Sequence, residues 1–204
     1  MQTGEKIKFG KYEWRVLDIK DHEILIITED IAELRAYHNK PGDITWADCE
    51  LRQYLNSEFY DGFSEEEKLK IIPTKVVNGD NQWFNTIGGG DTTDKIFLLS
   101  IEEVVCKYFG DSSANLQIPN GKYKYWFTRK DANNAKRISA YLGHTWWWWL
   151  RSPGRKQVKA AYIHGDGNIG IQGNNAMKCN LSGVYHPANN DVRGGVRPAL
   201  WMKL

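Results

Sequence analysis

The sequence has few of the residues that mark cofactor or metal chemistry. Its three cysteines, Cys49, Cys106 and Cys179, are odd in number and widely spaced, with no Cys-x-x-Cys pair. They therefore indicate neither a disulfide framework nor a zinc or redox centre, and we expect buried free thiols. The five histidines form no His-Glu-x-x-His motif, which is the usual helical zinc signature. We expect no metal, no cofactor and no catalytic residue.

Long apolar runs and an excess of one charge are also missing. No stretch approaches the roughly 18 apolar residues of a membrane span, and the first residues, MQTGEKIKFG, lack the apolar core of a signal peptide. The 27 basic and 25 acidic residues leave a net charge of +2, which does not favour nucleic acid or anionic lipid as a partner. We expect a chain that is cytoplasmic as synthesised, or that another component carries to a virion or cell surface.

Tryptophan, in contrast, is abundant. Nine of the 204 residues are Trp, and four of them are consecutive from Trp146 to Trp149. If this run is a strand, alternate indoles point to opposite sides, so the four cannot all be core on one face. We predict that Trp146 and Trp148 contact a ligand and that an outward-facing member of the run contributes little to stability.

The N-terminal half has the pattern of a hairpin followed by helices. Residues Tyr12–Ile19 and Glu23–Thr28 are rich in β-branched and aromatic residues around a polar turn. A hydroxyl residue followed three positions later by a carboxylate predicts a helix start. Four such pairs occur: Thr45/Asp48, Ser64/Glu67, Ser100/Glu103 and Thr128/Asp131. We expect the fourth helix to end near Leu142, with Gly143 as its left-handed cap.

Beyond Gly143 the pattern changes to strands and glycine turns. Gly165-Asp166-Gly167 separates two short apolar strands, 160–164 and 168–171, and predicts a hairpin with a type I′ turn. The same glycines match the Gly-x-Gly-x-x-Gly fingerprint of dinucleotide sites, but no helix follows, so we reject a nucleotide site. Residues 196–204 alternate as a strand that lies at an edge or begins at Pro198, because proline cannot donate to a ladder. Residues 173–195 are predicted to form a displayed or ordered loop.

The segment WWWWLRSPG (Trp146–Gly154), followed by GGVRPALWMKL (Gly194–Leu204), resembles the closing signature of a bacterial, archaeal and phage domain family. That family is related to the C-type-lectin-like fold of formylglycine-generating enzymes and of the variable proteins of diversity-generating retroelements. Further similar segments are Phe9–Asp18, Thr45–Tyr60 and Thr92–Val104.

The resemblance implies one α+β domain over residues 1–204, with a scaffold at 1–143 and a ligand-binding region at 144–204. It also implies that the N- and C-terminal strands share a sheet. Arg151 and Arg197 are expected to be structural arginines that tie loop carbonyls or carboxylates to the sheet. Formylglycine-generating enzymes use two cooperating cysteines near the C-terminus, whereas this region holds Cys179 alone, so their oxidase chemistry is not expected.

The main functional hypothesis is a non-enzymatic ligand-binding or display protein with a protein or glycan as its ligand, and its more specific form is the variable protein of such a retroelement. Asn, Tyr, His, Asp, Ser and Gly are the residues that adenine mutagenesis of Asn codons yields, and they suit an adaptable binding surface. The predicted ligand-binding residues are Trp146, Trp148, Tyr162, His164, Asp166, Asn168, Asn174, Asn175, Asn180, Tyr185, His186, Asn189, Asn190 and Asp191.

Two alternatives belong to other functional classes. A carbohydrate-binding module would stack sugar rings on indole faces of the Trp146–Trp149 run. An oxidase or hydrolase would use Cys179 and His186 as a nucleophile and base, although nothing in the sequence shows that the two meet.

Overall fold

Short strands dominate the secondary structure, with a few brief helices between them. The structure of the protein, a computed structural model, describes residues 1–117, 126–127, 131–177 and 185–204. Within these ranges the strands form two five-stranded sheets and three two-stranded pairs. This mixture confirms the α+β class.

The first sheet joins the two ends of the described chain. In spatial order its strands are β1 (Lys6–Phe9), β2 (Tyr12–Lys20), β3 (Glu23–Thr28), β16 (Ala199–Lys203) and β5 (Ile71–Ile72). The predicted hairpin of β2 and β3 is confirmed, with Lys20 opposite Glu23. Strand β16 begins directly after Pro198 and lies centrally, between β3 and β5. The sequence predicted a strand that either lies at a sheet edge or begins at Pro198, and the second alternative is confirmed.

The second sheet carries the tryptophan run. In spatial order its strands are β14 (Ile169–Asn175), β13 (Lys159–Ile163), β12 (Trp148–Pro153), β15 (Gly195–Val196) and β4 (Glu33–Leu34). Val196 pairs with Glu33, so the prediction that residues 196–202 form one strand in the sheet of β2 is wrong at its start. The strand divides at Pro198, whose missing N–H interrupts the ladder.

The remaining strands form three local pairs: β6 (Thr74–Val76) with β7 (Thr92–Asp94), β8 (Leu116–Gln117) with β9 (Trp126–Phe127), and β10 (Ala140–Tyr141) with β11 (His144–Thr145). The turn between β10 and β11 holds Leu142 and Gly143, both at positive φ. Gly143 therefore has the left-handed conformation that we expected, but in a hairpin turn and not at a helix end.

The helices are short: α1 (Glu50–Tyr54), which continues as a π-helical turn (Leu55–Phe59), α2 (Glu65–Lys70), a π-helical segment (Glu103–Lys107), a 3-10 turn (Ser113–Asn115) and α3 (Asn134–Arg137). Buried residues of the sheets and helices form one hydrophobic cluster that runs from Phe9 to Met202. In the described part of the chain, we find no helix with the length and apolar character needed to cross a membrane.

Two of the four predicted helix starts are confirmed. Ser64 forms a reciprocal capping box with Glu67 at the start of α2. At the second site the Ser100 N–H donates to the Glu103 carboxylate at 2.8 Å, and the Glu103 N–H donates to the Ser100 hydroxyl at 3.2 Å. In each pair, both side chains satisfy backbone N–H groups that the helix leaves open.

The other two predicted starts have a different outcome. Thr45 donates to the Asp48 carboxylate within a turn, and α1 begins later, with the Cys49 sulfur accepting from the Arg52 N–H. The prediction at Thr45 is wrong because the cysteine takes the capping position. Thr128 lies outside the described residues. The helix predicted after Thr128 was expected to end near Leu142. That prediction is wrong, because α3 ends at Arg137 and the chain then enters a hairpin.

Candidate functional site

The four consecutive tryptophans alternate in direction, as predicted, but both sides of the strand are covered. Trp147 and Trp149 lie on one side, with ring centroids 4.6 Å apart. Trp146 packs against His186 on the other side at 5.1 Å, and the Arg197 guanidinium lies 5.1 Å from the centroid of Trp148. None of the four side chains is more than 5% exposed. The prediction that Trp146 and Trp148 offer open faces to a ligand is therefore wrong.

Hydrogen bonds hold three of these four indoles in place. Trp146 donates through Nε1 to the carbonyl of Arg193, Trp148 to that of Arg137, and Trp149 to that of Arg35, at 2.8 to 3.0 Å. Each bond reaches a distant segment of the chain. The run therefore ties loops to the second sheet and leaves no indole face open for a sugar ring.

His186 is fully buried, which contradicts its prediction as a displayed residue. Its Nδ1 lies 3.2 Å from the N–H of Ala188, and its Nε2 lies 3.0 Å from the carbonyl oxygen of Tyr141. These contacts fit a neutral ring that accepts at Nδ1 and donates at Nε2. Tyr141, His144 and Trp146 surround the ring, with centroids within 5.1 to 5.8 Å. The histidine therefore fixes its loop to the hairpin of β10 and β11.

The loop of residues 185–191 is ordered around this buried ring. The N–H of His186 donates to the carbonyl of Asp191 at 2.7 Å, and the N–H of Asn190 donates back to the carbonyl of His186 at 2.9 Å. Asp191 forms an ion pair with Arg193. Burial raises the pKa of Asp191, but the hydrogen bonds and charge of Arg193 outweigh this effect and lower it. Tyr185, Asn189 and Asn190 remain exposed on the outside of the loop.

The turn of residues 164–168 closes the predicted hairpin of β13 and β14. Only Gly167 has positive φ, so the turn is longer than the predicted type I′, with the His164 N–H donating to the Asn168 carbonyl. Asp166 is exposed, and Asn168 accepts from Asn134 at 2.6 Å. Burial lowers the pKa of His164, while the charge of Asp166 opposes this shift.

The remaining predicted residues do not join one surface. Tyr162 is buried, with its ring 5.5 Å from that of Trp147, so the prediction that its side chain is displayed to solvent is wrong. Asn174 and Asn175 are half-buried in β14, at the end of the hairpin away from the 164–168 turn. Seven strand residues separate the two ends by roughly 20 Å. Asn180 and Cys179 lie outside the described residues.

A groove that sequence reasoning did not locate lies between residues 74–83 and the segment that begins at Ser100. Its volume is about 560 Å³, within the usual range for ligand sites. Val76, Val77, Trp83, Phe97, Ile101 and Trp201 contribute apolar side chains, and most of the remaining lining is polar or charged. The signal available in the sequence was the capping pair Ser100/Glu103, whose carboxylate also reaches the groove floor.

The floor of the groove is a buried ion pair. Both terminal nitrogens of Arg151 donate to the carboxylate of Glu103, and they also donate to the carbonyls of Leu98 and Val77. Arg197 is buried in a similar way, donating to the carbonyls of Thr28 and Glu29, and its burial lowers its pKa to about 10. The prediction of two structural arginines is confirmed.

The acidic pair near this groove, Asp91 and Asp94, also has structural partners. Asp94 accepts from the indole of Trp46 and from Arg52 at 2.8 and 2.7 Å. Asp91 accepts from the Asn78 N–H and pairs with Lys75. These contacts stabilise the turn around β6 and β7.

Two of the three cysteines lie in the described residues. Cys49 is buried as expected, whereas Cys106 is exposed, so the prediction of a buried thiol is wrong for Cys106.

Residues 21–204 match the model of the family described as Domain of unknown function (DUF6273), so the chain belongs to that family. No curated protein and no solved structure matches the chain.

Proposed function

We propose that this protein is a non-enzymatic binding protein that presents the loop of residues 185–191 to a protein ligand. The observation that carries the proposal is the full burial of His186 within a loop whose neighbours point outward. A loop already held in one conformation loses little conformational entropy when it binds. Preorganisation of this kind is typical of binding loops that combine rigid aromatic anchors with small polar residues.

The exposed residues around the loop have the chemistry of such a surface. Tyr185 is 59% exposed, and Leu142, next to the Tyr141 that contacts His186, is 62% exposed. Asn189 and Asn190 add amide donors and acceptors. An exposed aromatic and an exposed aliphatic side chain, with amides nearby, fit a protein ligand better than a sugar, because the tryptophans that would stack on sugar rings are buried.

The C-type-lectin-like fold and the diversification hypothesis are part of the same proposal. The shared sheet of β2 and β16 is consistent with a C-type-lectin-like fold. Diversification of the kind found in retroelement variable proteins then applies to the exposed and half-buried positions: His164, Asp166, Asn168, Asn174, Asn175, Tyr185, Asn189, Asn190 and Asp191. A near-repeat of this gene segment beside a reverse transcriptase gene is the expected genomic signature, and its absence would remove the diversification claim alone.

Site-specific photocrosslinking tests the binding proposal. A photoreactive phenylalanine analogue replaces Tyr185 in one variant and Leu69 in a matched control, since Leu69 is also highly exposed. After irradiation in the source cells, we expect one discrete protein adduct at position 185 and none at 69. The adduct should weaken in Asn190→Asp, which changes the exposed amide but keeps a residue type that tolerates the positive φ of Asn190. Equal crosslinking at the two positions would contradict the proposal.

A further inference from the structure

Hydrogen bonds to one residue, His186, organise the loop of residues 185–191. The N–H of His186 donates to the carbonyl of Asp191 at 2.7 Å, and the carbonyl of His186 accepts from the N–H groups of Asn189 and Asn190 at 3.3 and 2.9 Å. The ring nitrogens Nδ1 and Nε2 add two further bonds. The backbone and the side chain of a single fully buried residue therefore hold the loop closed.

The two contacts of the ring allow only one protonation state. The carbonyl oxygen of Tyr141 can only accept, so Nε2, which lies 3.0 Å away, must carry a hydrogen. The N–H of Ala188 can only donate, so Nδ1, 3.2 Å from that nitrogen, must keep its lone pair. Pro187 has no N–H, which makes Ala188 the first backbone donor after His186. The closed loop thus requires a neutral ring with its hydrogen on Nε2.

A second proton on the ring would disrupt the closed loop. It would bind to Nδ1 and bring two N–H groups face to face, one from the ring and one from Ala188. A buried donor without an acceptor costs free energy, and a buried charge without a counter-ion costs more. The closed loop and the charged ring of His186 therefore disfavour each other.

The titratable and charged groups around the ring do not compensate this cost. Strand β10 contributes the neutral phenol of Tyr141, and β11 contributes a second imidazole, His144, with ring centroids 5.3 and 5.8 Å from that of His186. In the loop itself, the Asp191 carboxylate already accepts three hydrogen bonds from the Arg193 guanidinium. The described residues place no carboxylate in contact with the buried ring.

Opening of the loop removes the conflict. An imidazole in contact with water takes up a proton near pH 6.5, so the open loop binds one more proton than the closed loop below that pH. The closed loop is therefore fully stable above about pH 6.5 and loses stability as the pH falls. Below this value, each pH unit shifts the equilibrium toward the open loop by about tenfold.

We infer that His186 makes the loop of residues 185–191 a pH-sensitive switch, closed around the neutral ring and opened in mild acid by protonation of that ring. The consequence for binding rests on the proposed function, because the same loop presents Tyr185, Asn189 and Asn190. Opening removes the preorganised surface, so the ligand is released in acid. The opening itself is a property of the free protein and requires no ligand.

Hydrogen exchange of the full chain without ligand, measured by NMR, tests the switch. The amides of Ala188 and Asn190 report on opening, since both are bonded to His186. Between about pH 7.5 and about pH 5, after correction for the intrinsic pH dependence of exchange, their protection factors should fall about 30-fold. Low urea concentrations should leave this exchange unchanged, because a local opening exposes little surface.

Two variants separate His186 from its neighbour. His186→Asn keeps an acceptor for the Ala188 N–H, since an Asn side-chain oxygen commonly accepts from the N–H two residues further on, and it does not titrate. Its loop protection should change by less than about threefold over the same pH range. His144→Gln, at the exposed imidazole beside the ring, should retain the fall of about 30-fold.

Three results would overturn the switch. They are constant loop protection in the wild type, an equal fall in His186→Asn, and loss of the fall in His144→Gln. If His186→Asn does not fold, the imidazole ¹⁵N spectrum of the wild type decides. We expect a neutral ring protonated at Nε2 near pH 7.5. A charged His186 ring in a loop that stays protected near pH 5 would contradict the inference.

Photocrosslinking at position 185 tests ligand release separately. In extracts of the source cells adjusted to about pH 7.5 or about pH 5, the adduct should be at least tenfold weaker at the lower pH, and His186→Asn should retain it at both. A wild-type adduct that persists while exchange shows an open loop, or an equal loss in His186→Asn, would overturn acid release. Absence of an adduct at either pH would contradict the proposed function and leave the switch standing.

Discussion

The Arg151 guanidinium and the Glu103 carboxylate, 48 positions apart in the chain, form a two-pronged ion pair in the floor of the groove. Burial alone raises the pKa of Glu103, but the charge and hydrogen bonds of Arg151, with the N–H of Ser100, outweigh it and hold the pKa below 4.5. Because the folded-state pKa is lowered, the pair stabilises the fold fully above about pH 4.5. That contribution is lost as the pH falls through the lower, folded-state pKa.

Glu103→Gln should reduce the free energy of unfolding at pH 7 by about 3–5 kcal/mol, because it leaves the Arg151 charge buried without its partner. The variant should also lose less stability than the wild type between about pH 4.5 and 3, since the titrating carboxylate is gone. Urea melts across this pH range measure both effects. Glu102→Gln, on the exposed neighbour, is the control and should change stability by less than about 0.5 kcal/mol. A parent-like acid profile in Glu103→Gln would contradict the assignment.

Burial on both sides of the tryptophan strand revises the expected mutational pattern. Trp147→Ala and Trp148→Ala point to opposite sides, yet each should cost about 3–5 kcal/mol, the usual range for a buried Trp truncation. Denaturant melts at neutral pH measure the two losses. Trp201→Ala, at a half-buried indole of the first sheet, should cost less than either. A near-neutral effect at Trp147 or Trp148 would show that one side of the strand is open.

His186 and its neighbour Tyr185 should respond in opposite ways to replacement by Ala. His186→Ala removes the acceptor for the Ala188 N–H and the donor to the Tyr141 carbonyl and leaves a cavity among aromatic rings. We expect a loss of about 2–4 kcal/mol in the free energy of unfolding. Tyr185→Ala should change it by less than about 0.5 kcal/mol. Thermal melts of both variants provide the comparison, and equal losses would mean that Tyr185 also supports the fold.

Leu142 occupies a backbone conformation that disfavours its side chain. Its φ is 47° in the hairpin turn of β10 and β11, and the left-handed region costs a residue such as Leu roughly 1–2 kcal/mol. Leu142→Asn should therefore raise the free energy of unfolding by about 1 kcal/mol, because Asn-Gly is the favoured pair in such turns. Urea melts test the gain. Leu69→Asn, at an exposed leucine in α2, should instead be neutral or destabilising, because Asn is a weaker helix former.

Features that depend on neighbouring residues were predictable from the sequence. The capping pairs at Ser64 and Ser100 and the hairpins around Asp21 and Gly167 follow from contacts within a few positions, which local residue chemistry controls. The α+β class was also predictable, because the sequence changes from helical patterns to alternating patterns and the structure contains both helices and strands. Thr45 shows the limit of this reasoning: a nearby residue, Cys49, competes for the same role, and the sequence pattern does not rank the two.

The candidate site depended on contacts between distant segments. Strand periodicity correctly separated Trp146 and Trp148 from Trp147 and Trp149, but whether either side meets solvent depends on Tyr37, Phe109, His186 and Arg197, which come from elsewhere in the chain. His186 resembles its exposed neighbours in composition and differs only in its tertiary contacts. The groove forms where residues 74–83 approach Ser100 and Arg151, and no local pattern encodes that approach. Tertiary packing decides which side chains are buried, because burial depends on which surfaces of the folded chain cover one another and exclude water.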